Sequence, residues 1–164
     1  MKYFLILLLM YVLPLFGANI GNVKYELPKS KQGWQRIISI EDPAGVDYIP
    51  ANKTFKNSNE FFGVHMSNLS PSDINEFAIK LMVQAQIGRE AKVLIIERTP
   101  TSVLYEWGMD DMYGFLFSLN RIFFSENGAT LLMYQTSDHK RVDADKGLWL
   151  AALRAASISQ QDRE

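Results

Sequence analysis

Cysteine is absent from the 164 residues of this chain, and histidine occurs only twice, as His65 and His139. The lack of cysteine excludes disulfides, thiolate metal sites and cysteine nucleophiles, and it excludes a bacterial lipid anchor, which needs a cysteine acceptor. The two histidines lie too far apart in the sequence for a closely spaced zinc motif. Because the G-x-S-x-G, P-loop and G-x-G-x-x-G motifs are also missing, we predict no catalytic residue, no metal site and no cofactor.

The chain also lacks an excess of charge of either sign. It has 17 lysines and arginines against 18 aspartates and glutamates, which gives a formal net charge of -1. Proteins that bind nucleic acids display a strongly basic patch, so we predict no nucleic-acid partner. The basic run from His139 to Arg141 is too short to change this, and we interpret it as a solvated loop. With 48% hydrophobic and 12% aromatic residues, the chain is suited to one packed domain.

The amino terminus carries a long uncharged stretch. Lys2 precedes the apolar residues 3–16, and the small residues Gly17 and Ala18 follow them. This three-part layout is typical of a secretory signal peptide, so we predict cleavage near Ala18 and a periplasmic or secreted protein. The uncharged stretch continues to Val23, and an uncleaved membrane anchor is the alternative.

Alternating apolar residues and turn residues predict seven strands in the rest of the chain. They are expected at 34–42, 46–49, 61–67, 91–99, 102–109, 112–126 and 129–137. Short turns between consecutive strands indicate an antiparallel sheet, and two helices would cover it. We therefore predict an α+β fold with an antiparallel sheet of about six to seven strands. The predicted organisation is a signal peptide at 1–18, a linker or flexible arm at 19–33, one globular domain at 34–157 and a frayed tail at 158–164.

Both predicted helices show an apolar stripe. The first is expected to begin with Ser70 as its N-cap, followed by Pro71 and Asp73, and to stop at Gly88. The second is expected at 144–157, with Asp143 as its N-cap. The stripe of the first helix consists of Ile74, Phe77, Ala78, Leu81, Met82 and Ala85, and that of the second of Trp149, Ala152, Leu153 and Ala156. We expect both stripes to pack on the sheet.

Two tight turns predict a register for the last strands. A turn at Asn127-Gly128 would place Arg121 opposite Tyr134, and a turn at Asp110-Asp111 would place Glu106 opposite Phe115. One sheet face would then carry Leu104, Glu106, Phe115, Phe117, Leu119, Arg121, Phe123, Leu132 and Tyr134. The opposite face would carry Val103, Tyr105, Trp107, Leu116, Ile122, Phe124, Leu131 and Met133. Because both faces are apolar, we expect cover on both sides, or cover on one side and a partner surface on the other.

Glu106 is a carboxylate within the otherwise apolar strand VLYEW at 103–107. It could lie at the rim of the sheet with its charged end in water. It could instead belong to a structural polar cluster with Arg121 and Tyr134, since a buried carboxylate needs a partner. A ligand-binding or catalytic role is the third interpretation. Glu106, Arg121 and Tyr134 are therefore the candidate binding residues, with a structural role favoured, and His65 is interpreted as an edge-strand residue rather than a base.

Four short segments carry a resemblance to known proteins. They are YIPANKT at 48–54, VLYEW at 103–107, NRI at 120–122 and GLWLAAL at 147–153. With the order of elements from residue 34 to residue 156, they resemble small exported bacterial proteins of unknown function that have a PsbP-like layout. The resemblance implies export and an antiparallel sheet sandwiched by helices, and it transfers no catalytic residue.

Three functions remain open at this point. The first is an exported, periplasmic accessory or binding protein without enzymatic activity, whose partner would be an envelope protein. The second is a small periplasmic enzyme, such as a hydrolase, that uses Glu106 or His65 in a concave pocket with a second polar group about 3 Å away. The third is a membrane-tethered domain, in which membrane contact depends on an N-terminal segment that stays attached.

Overall fold

Seven antiparallel strands form the main sheet of the computed structural model. The structure describes residues 18–20, 23–30, 32–37, 45–67, 69–70, 72, 74–126 and 128–159. The described strands are β1 (Ala18–Ile20), β2 (Val23–Tyr25), β3 (Trp34–Ile37), β4 (Val46–Pro50), β5 (Glu60–Ser67), β6 (Lys92–Thr99), β7 (Ser102–Asp111), β8 (Gly114–Ser125), β9 (Gly128–Thr136) and β10 (Ser157–Ile158). The helices are α1 (Glu76–Ile87), α2 (His139–Ala155) and a short 3-10 turn at Phe55–Asn57. The predicted signal peptide lies outside the described residues, except for Ala18, and so do residues 38–42 of the first predicted strand.

The main sheet has the strand order β3-β4-β5-β9-β8-β7-β6. The sheet consists of two antiparallel meanders, β3–β4–β5 and β6–β7–β8–β9. They are joined where β5 pairs with β9, from Glu60 opposite Thr136 to Ser67 opposite Ala129. The predicted α+β class, with its seven-stranded antiparallel sheet and two main helices, is confirmed.

Both predicted turn positions are wrong. Asp111 pairs with Gly114, so the β7–β8 turn lies at Met112 and Tyr113, and Glu106 pairs with Leu119. The Asp111 side chain accepts a hydrogen bond from the Tyr113 backbone N–H at 2.8 Å, which favours a turn after this aspartate.

The β8–β9 turn is also displaced from its predicted position. Ser125 pairs with Gly128, so Gly128 is the first residue of β9, and Arg121 faces Leu132 instead of Tyr134. Gly128 has a φ of 119° and provides the positive dihedral just after the turn. Both displacements move the partner residue by an even number of positions, so each side chain keeps its predicted face.

The two sheet faces are both covered. On the first face, α2 packs through Trp149 and Leu153 on a core that includes Leu104, Phe117, Leu119, Phe123, Leu132 and Tyr134. On the second face, α1 packs through Ile79 and Val83 on a core that includes Val103, Tyr105, Trp107, Ile122 and Phe124. The expected division of the apolar residues between two covered faces is confirmed.

Helix α1 differs from its prediction in its start and in its buried face. Its N-cap is Asn75, whose side chain accepts a hydrogen bond from the Ala78 N–H at 2.9 Å, rather than Ser70. The side chains of Phe77 and Leu81 are 70% and 49% exposed, whereas Ile79 and Val83 are buried. The helix is apolar on several sides, so its periodicity selects no single face. Gly88 ends it with a φ of 68°, as predicted.

Helix α2 begins earlier than predicted. Asp138, rather than Asp143, is its N-cap, and the Asp138 side chain accepts a hydrogen bond from the Lys140 N–H at 2.9 Å. The basic run from His139 to Arg141 is therefore the first turn of a helix and not a loop. The burial of Trp149, Leu153 and Ala156, three members of the predicted stripe, is confirmed.

Part of the predicted linker is folded. Strand β2 is the centre of a second, three-stranded sheet, β1-β2-β10, in which Lys24 pairs with Ser157. Val23 and Tyr25 are buried in the core on the α2 side, and the Tyr25 and Tyr48 hydroxyls lie 2.9 Å apart. Burial of the Tyr25 hydroxyl raises its pKa well above the ordinary value. Residues 23–25 thus differ from the expectation of a flexible arm, because two alternating apolar residues were too short a pattern to identify a strand.

Neither α1 nor α2, the helices in the described ranges, combines the length and apolarity that a membrane span requires.

Candidate binding cleft

The candidate residues Glu106, Arg121 and Tyr134 lie on the sheet face that α2 covers, but they do not form one cluster. Glu106 Oε2 lies 2.6 Å from Lys146 Nζ, and the Glu106 side chain is only 19% exposed. The Lys146 ammonium also lies over the Phe117 ring, 5.4 Å from its centroid. Glu106 is therefore neither free at the rim nor bound to its predicted partners, and its ion pair holds α2 to the sheet.

Arg121 fixes the carboxyl end of the same helix. Its Nη1 donates hydrogen bonds to the backbone oxygens of Leu153 at 2.8 Å and Arg154 at 3.0 Å. Its Cζ lies 4.7 Å from the centroid of the Phe123 ring. Burial lowers the pKa of the Arg121 guanidinium, although the nearby Glu97 opposes this change. A cation that binds the last carbonyls of a helix compensates their partial negative charge, so Arg121 has a structural role.

His65 forms a separate pair on the opposite sheet face. Its Nε2 lies 3.1 Å from Asp47 Oδ1. Gly63 lies beneath this pair, and a Cβ at Gly63 would be 2.6 Å from His65 Nε2 and 2.8 Å from Asp47 Oδ1. The glycine therefore provides the space in which the imidazole and the carboxylate meet.

Tyr134 contacts Glu60, one of a group of charged side chains that the sequence did not indicate. Its hydroxyl donates to Glu60 Oε2 at 3.4 Å, and its ring stacks on Trp149 with centroids 4.3 Å apart. Glu60 is the first residue of β5 and is only 6% exposed. Arg141, in the first turn of α2, places Nη2 3.6 Å from Glu60 Oε1 and Nη1 3.1 Å from Asp145 Oδ2. The arginine thus lies between two carboxylates.

The electrostatics of this group are dominated by the burial of Glu60. Burial raises the pKa of the Glu60 carboxyl, the positive charge of Arg141 lowers it in part, and the negative charges of Asp145 and Asp138 raise it further. The hydrogen bond to Asp145 raises the pKa of Arg141. A carboxylate in this position costs free energy when it is ionised unless further donors reach it.

Glu60, Arg141 and Asp145 line a cleft of about 350 Å³ between residues 28–30, 32 and 34 on one side and α2 on the other. One wall consists of Pro28, Lys29, Ser30, Gln32 and Trp34, and the other of Glu60, Arg141, Asp145, Leu148 and Trp149. We call this the Glu60 cleft. The Trp34 indole N–H donates to the Pro28 backbone oxygen at 2.9 Å, and the Trp34 and Trp149 rings meet edge to face, 5.4 Å apart. The edge-to-face contact therefore holds Trp34 against the helix, and the hydrogen bond links Trp34 to Pro28.

A larger groove of about 900 Å³ along the outer side of α2 adjoins the Glu60 cleft. The two share Pro28, Lys29 and Leu148, and Ala151, Ala152 and Ala155 line the groove further along the helix. Within the ranges that the structure describes, no three histidine, aspartate or glutamate side chains are grouped to hold a metal ion.

Sequence reasoning missed Glu60, Arg141 and Asp145. Glu60 follows a polar loop, and Arg141 was assigned to a solvated connection. The spacing of Arg141 and Asp145, four residues apart, is an available signal for a helical ion pair, but it can be used only if the helix start is placed at Asp138.

No protein-family model and no curated protein matches this sequence. Solved structures do match the fold. The Saccharomyces cerevisiae Ran-binding protein Mog1p superposes with a TM-score of 0.56 and 8% sequence identity, over 84% of this chain and 90% of that one. The cyanobacterial PsbP protein of Synechocystis gives a TM-score of 0.50 and 11% identity, over 84% of this chain and 86% of that one. A Pseudomonas aeruginosa protein of unknown function, described as a putative regulator, gives 0.45 and 12% identity, over 90% of this chain and 94% of that one. This chain has the PsbP-like fold that its sequence segments predicted.

Proposed function

We propose that this chain is an exported accessory or binding protein without enzymatic activity, and that the Glu60 cleft receives its partner. The observation that carries the proposal is the cleft itself, with a buried carboxyl at its base and an arginine shared by two acids. Binding sites in proteins are typically concave, with apolar walls and a few placed polar groups. The aromatic wall of Trp34 and Trp149 with the polar base of Glu60 and Arg141 has this composition.

A protein partner is the ligand class that we favour, and in an exported protein it would belong to the envelope. Mog1p, which shares the fold, is a Ran-binding protein. The fold is therefore compatible with protein recognition, although the likeness itself is one of architecture. The groove along α2, which adjoins the cleft, offers room for a chain segment next to an inserted side chain.

Export is the second part of the proposal, and it rests on the signal-peptide layout of the sequence. Mass spectrometry of the protein recovered from the native envelope tests it. We expect a mature chain that begins near Asn19. A full-length chain in the membrane fraction would support the tethered alternative instead.

Photo-crosslinking tests whether the cleft is the partner site. A photoreactive amino acid at Gln32, on the cleft wall, should give a discrete adduct with one envelope protein. The matched control is the same replacement at the exposed Glu126, near the β8–β9 turn and at the far end of β9 from the cleft. The absence of an adduct at Gln32, or equal adducts at both positions, would contradict the proposal.

A small hydrolase is a second candidate because His65 and Asp47 form a paired imidazole and carboxylate. Glu106 also lines a depression of about 520 Å³, but Lys146 neutralises its carboxylate. Hydrolysis of p-nitrophenyl esters by the wild type that is lost in His65→Ala would support this candidate. An inactive wild type in the same assay would count against it.

A further inference from the structure

We infer that the Glu60 cleft binds a cationic ammonium or guanidinium group, presented by the partner as a lysine or arginine side chain. The inference rests on the proposed function and specifies the chemistry of the partner. It follows from three properties of the cleft: unfilled acceptors, the balance of charge, and size.

The Glu60 carboxylate has acceptor capacity that its neighbours do not use. An ionised carboxylate accepts up to about four hydrogen bonds. Glu60 Oε2 has the Tyr134 hydroxyl at 3.4 Å, which is long for an O–H···O bond, and Arg141 Nη2 lies 3.6 Å from Oε1, beyond hydrogen-bond length. A donor that enters the cleft could therefore form short, charge-assisted bonds that the free protein lacks.

The charges around Glu60 favour a cation. Glu60 and Asp145 share the single guanidinium of Arg141, and Asp138 adds a further negative charge close to Glu60. Lys29 lines the cleft from the opposite segment, but it lies on the exposed surface. An ammonium or guanidinium group would neutralise the surplus negative charge at the base of the cleft and remove the cost of the buried carboxylate.

An anionic ligand fits the cleft less well. Both terminal nitrogens of Arg141 already face carboxylates, Nη1 toward Asp145 and Nη2 toward Glu60. An anion would have to displace one of these acids while lying against the other. The Glu60 carboxylate, whose contacts with Tyr134 and Arg141 are long, is an acceptor, and so the ligand should be a donor.

The size of the cleft points to a single side chain. Its volume of about 350 Å³ is at the lower end of the range for ligand pockets, which extends to roughly 1,000 Å³. The walls include Trp34 and Trp149, and tryptophan rings are the preferred aromatic partners of cations. A lysine or arginine side chain would place its stem along the aromatic wall and its charge near Glu60.

Titration of the purified protein tests this inference. The probes are N-acetyl-lysine amide and N-acetyl-arginine amide, with N-acetyl-norleucine amide as the neutral control of similar shape, and binding is followed by calorimetry and tryptophan fluorescence. We expect saturable binding of the two cationic probes and none of norleucine. Glu60→Gln should weaken binding about tenfold or more. The exposed Glu126→Gln is the matched control and should leave binding unchanged.

Binding should also depend on pH. The groups that face Glu60 are Tyr134 on β9 and Arg141, Asp145 and Asp138 on or before α2. Because the pKa of Glu60 is raised, its charge is lost as the pH falls through that raised pKa, and affinity for the cationic probes should fall over the same range. In Glu60→Gln this pH dependence should be absent.

Measuring the stability of Glu60→Gln separates a loss of binding from a loss of folding. The folded-state pKa of Glu60 is raised above its ordinary 4.5, so the protonated group contributes stability that is present below that value and is lost as the pH rises through the folded pKa. Glu60→Gln, which stays neutral, should therefore gain stability relative to the wild type in urea unfolding as the pH rises above 4.5.

Three results would overturn the inference. They are equal binding of norleucine amide, unchanged affinity of a folded Glu60→Gln variant, and tight binding of free cadaverine with no binding of the amino-acid amides, which would identify a free amine in place of a partner's side chain. If the Gln32 crosslink persists while the cationic probes fail, the partner site stands and its cationic chemistry is wrong. If the crosslink fails too, the proposed function falls with it.

Discussion

Replacing Arg121 with methionine should destabilise the protein by about 2 kcal/mol. The guanidinium donates to two backbone oxygens at the end of α2, at 2.8 Å and 3.0 Å. Hydrogen bonds to charged groups contribute about 1.5–3 kcal/mol each when buried, but this helix end is half-exposed and water replaces part of the loss. A cation at a helix carboxyl terminus adds about 0.3–1 kcal/mol, and its contact with an aromatic ring about 0.5–1 kcal/mol. Methionine retains the packing of the side-chain stem, so the loss reports mainly on the charged end.

Urea unfolding followed by circular dichroism measures this change, and thermal unfolding should show a melting temperature lower by about 6 °C at this chain length. Arg121→Lys should lose about half as much, since one ammonium retains the charge but lacks the forked geometry. The matched control is Arg154→Met. Arg154 pairs with Glu97 at 2.5 Å with both side chains well exposed, and such a pair contributes about 0.5 kcal/mol or less.

Equal destabilisation by Arg121→Met and Arg154→Met would refute the assignment of Arg121 as the residue that secures α2. A change below about 0.5 kcal/mol for Arg121→Met would refute it as well. A structural role also requires that Arg121→Met leave the affinity of the Glu60 cleft for its probes unchanged at temperatures where the variant is folded. A loss of that affinity would return Arg121 to the candidate binding residues.

Three further predictions concern other parts of the fold. Glu106→Gln should lower the free energy of unfolding at pH 7 by about 1 kcal/mol or less, because the ion pair with Lys146 is partly exposed. The effect should vanish in a Lys146→Met background, and an undiminished effect there, measured by urea unfolding, would contradict the pairing. Asn75→Ala should cost about 1 kcal/mol through loss of the N-cap of α1, whereas Ser70→Ala should cost clearly less; a larger loss for Ser70→Ala would restore the start predicted from the sequence. Val23→Ala should cost roughly 1–2 kcal/mol because Val23 is buried in the core on the α2 side, and a neutral result would favour the flexible arm.

The faces of the sheet could be predicted from the sequence, whereas its registers could not. Alternation assigned Glu106 and Arg121 to one face, and an even displacement of the partner strand leaves that assignment intact. The position of the β7–β8 turn depended on the hydrogen bond that the Tyr113 backbone N–H donates to the Asp111 side chain, a contact that no periodicity displays. The buried side of α1 was ambiguous for a related reason, since Ile79 and Val83 have the same spacing as the exposed Phe77 and Leu81.

The Glu60 cleft could not be predicted because its residues come from three separate stretches of chain. Glu60 begins β5, Arg141 lies in the first turn of α2, and Trp34 begins β3. The pairing of β5 with β9, which joins strands far apart in sequence, brings Glu60 next to the start of α2. Local patterns identify elements, but they contain no information about which distant elements become neighbours.

The small sheet in which β2 pairs with β10 also has a consequence for the order in which the protein can fold during synthesis. Strand β2 is made early and Ser157–Ile158 late, so Val23 and Lys24 have no strand partner in β10 until residues 157 and 158 have left the ribosome. Contacts of such high sequence separation form slowly, because a long loop must close before they contribute free energy. A chain interrupted before residue 157 should therefore leave the early strand unpaired on this edge, and a protease that cleaves within 23–30 should distinguish such a fragment from the finished protein.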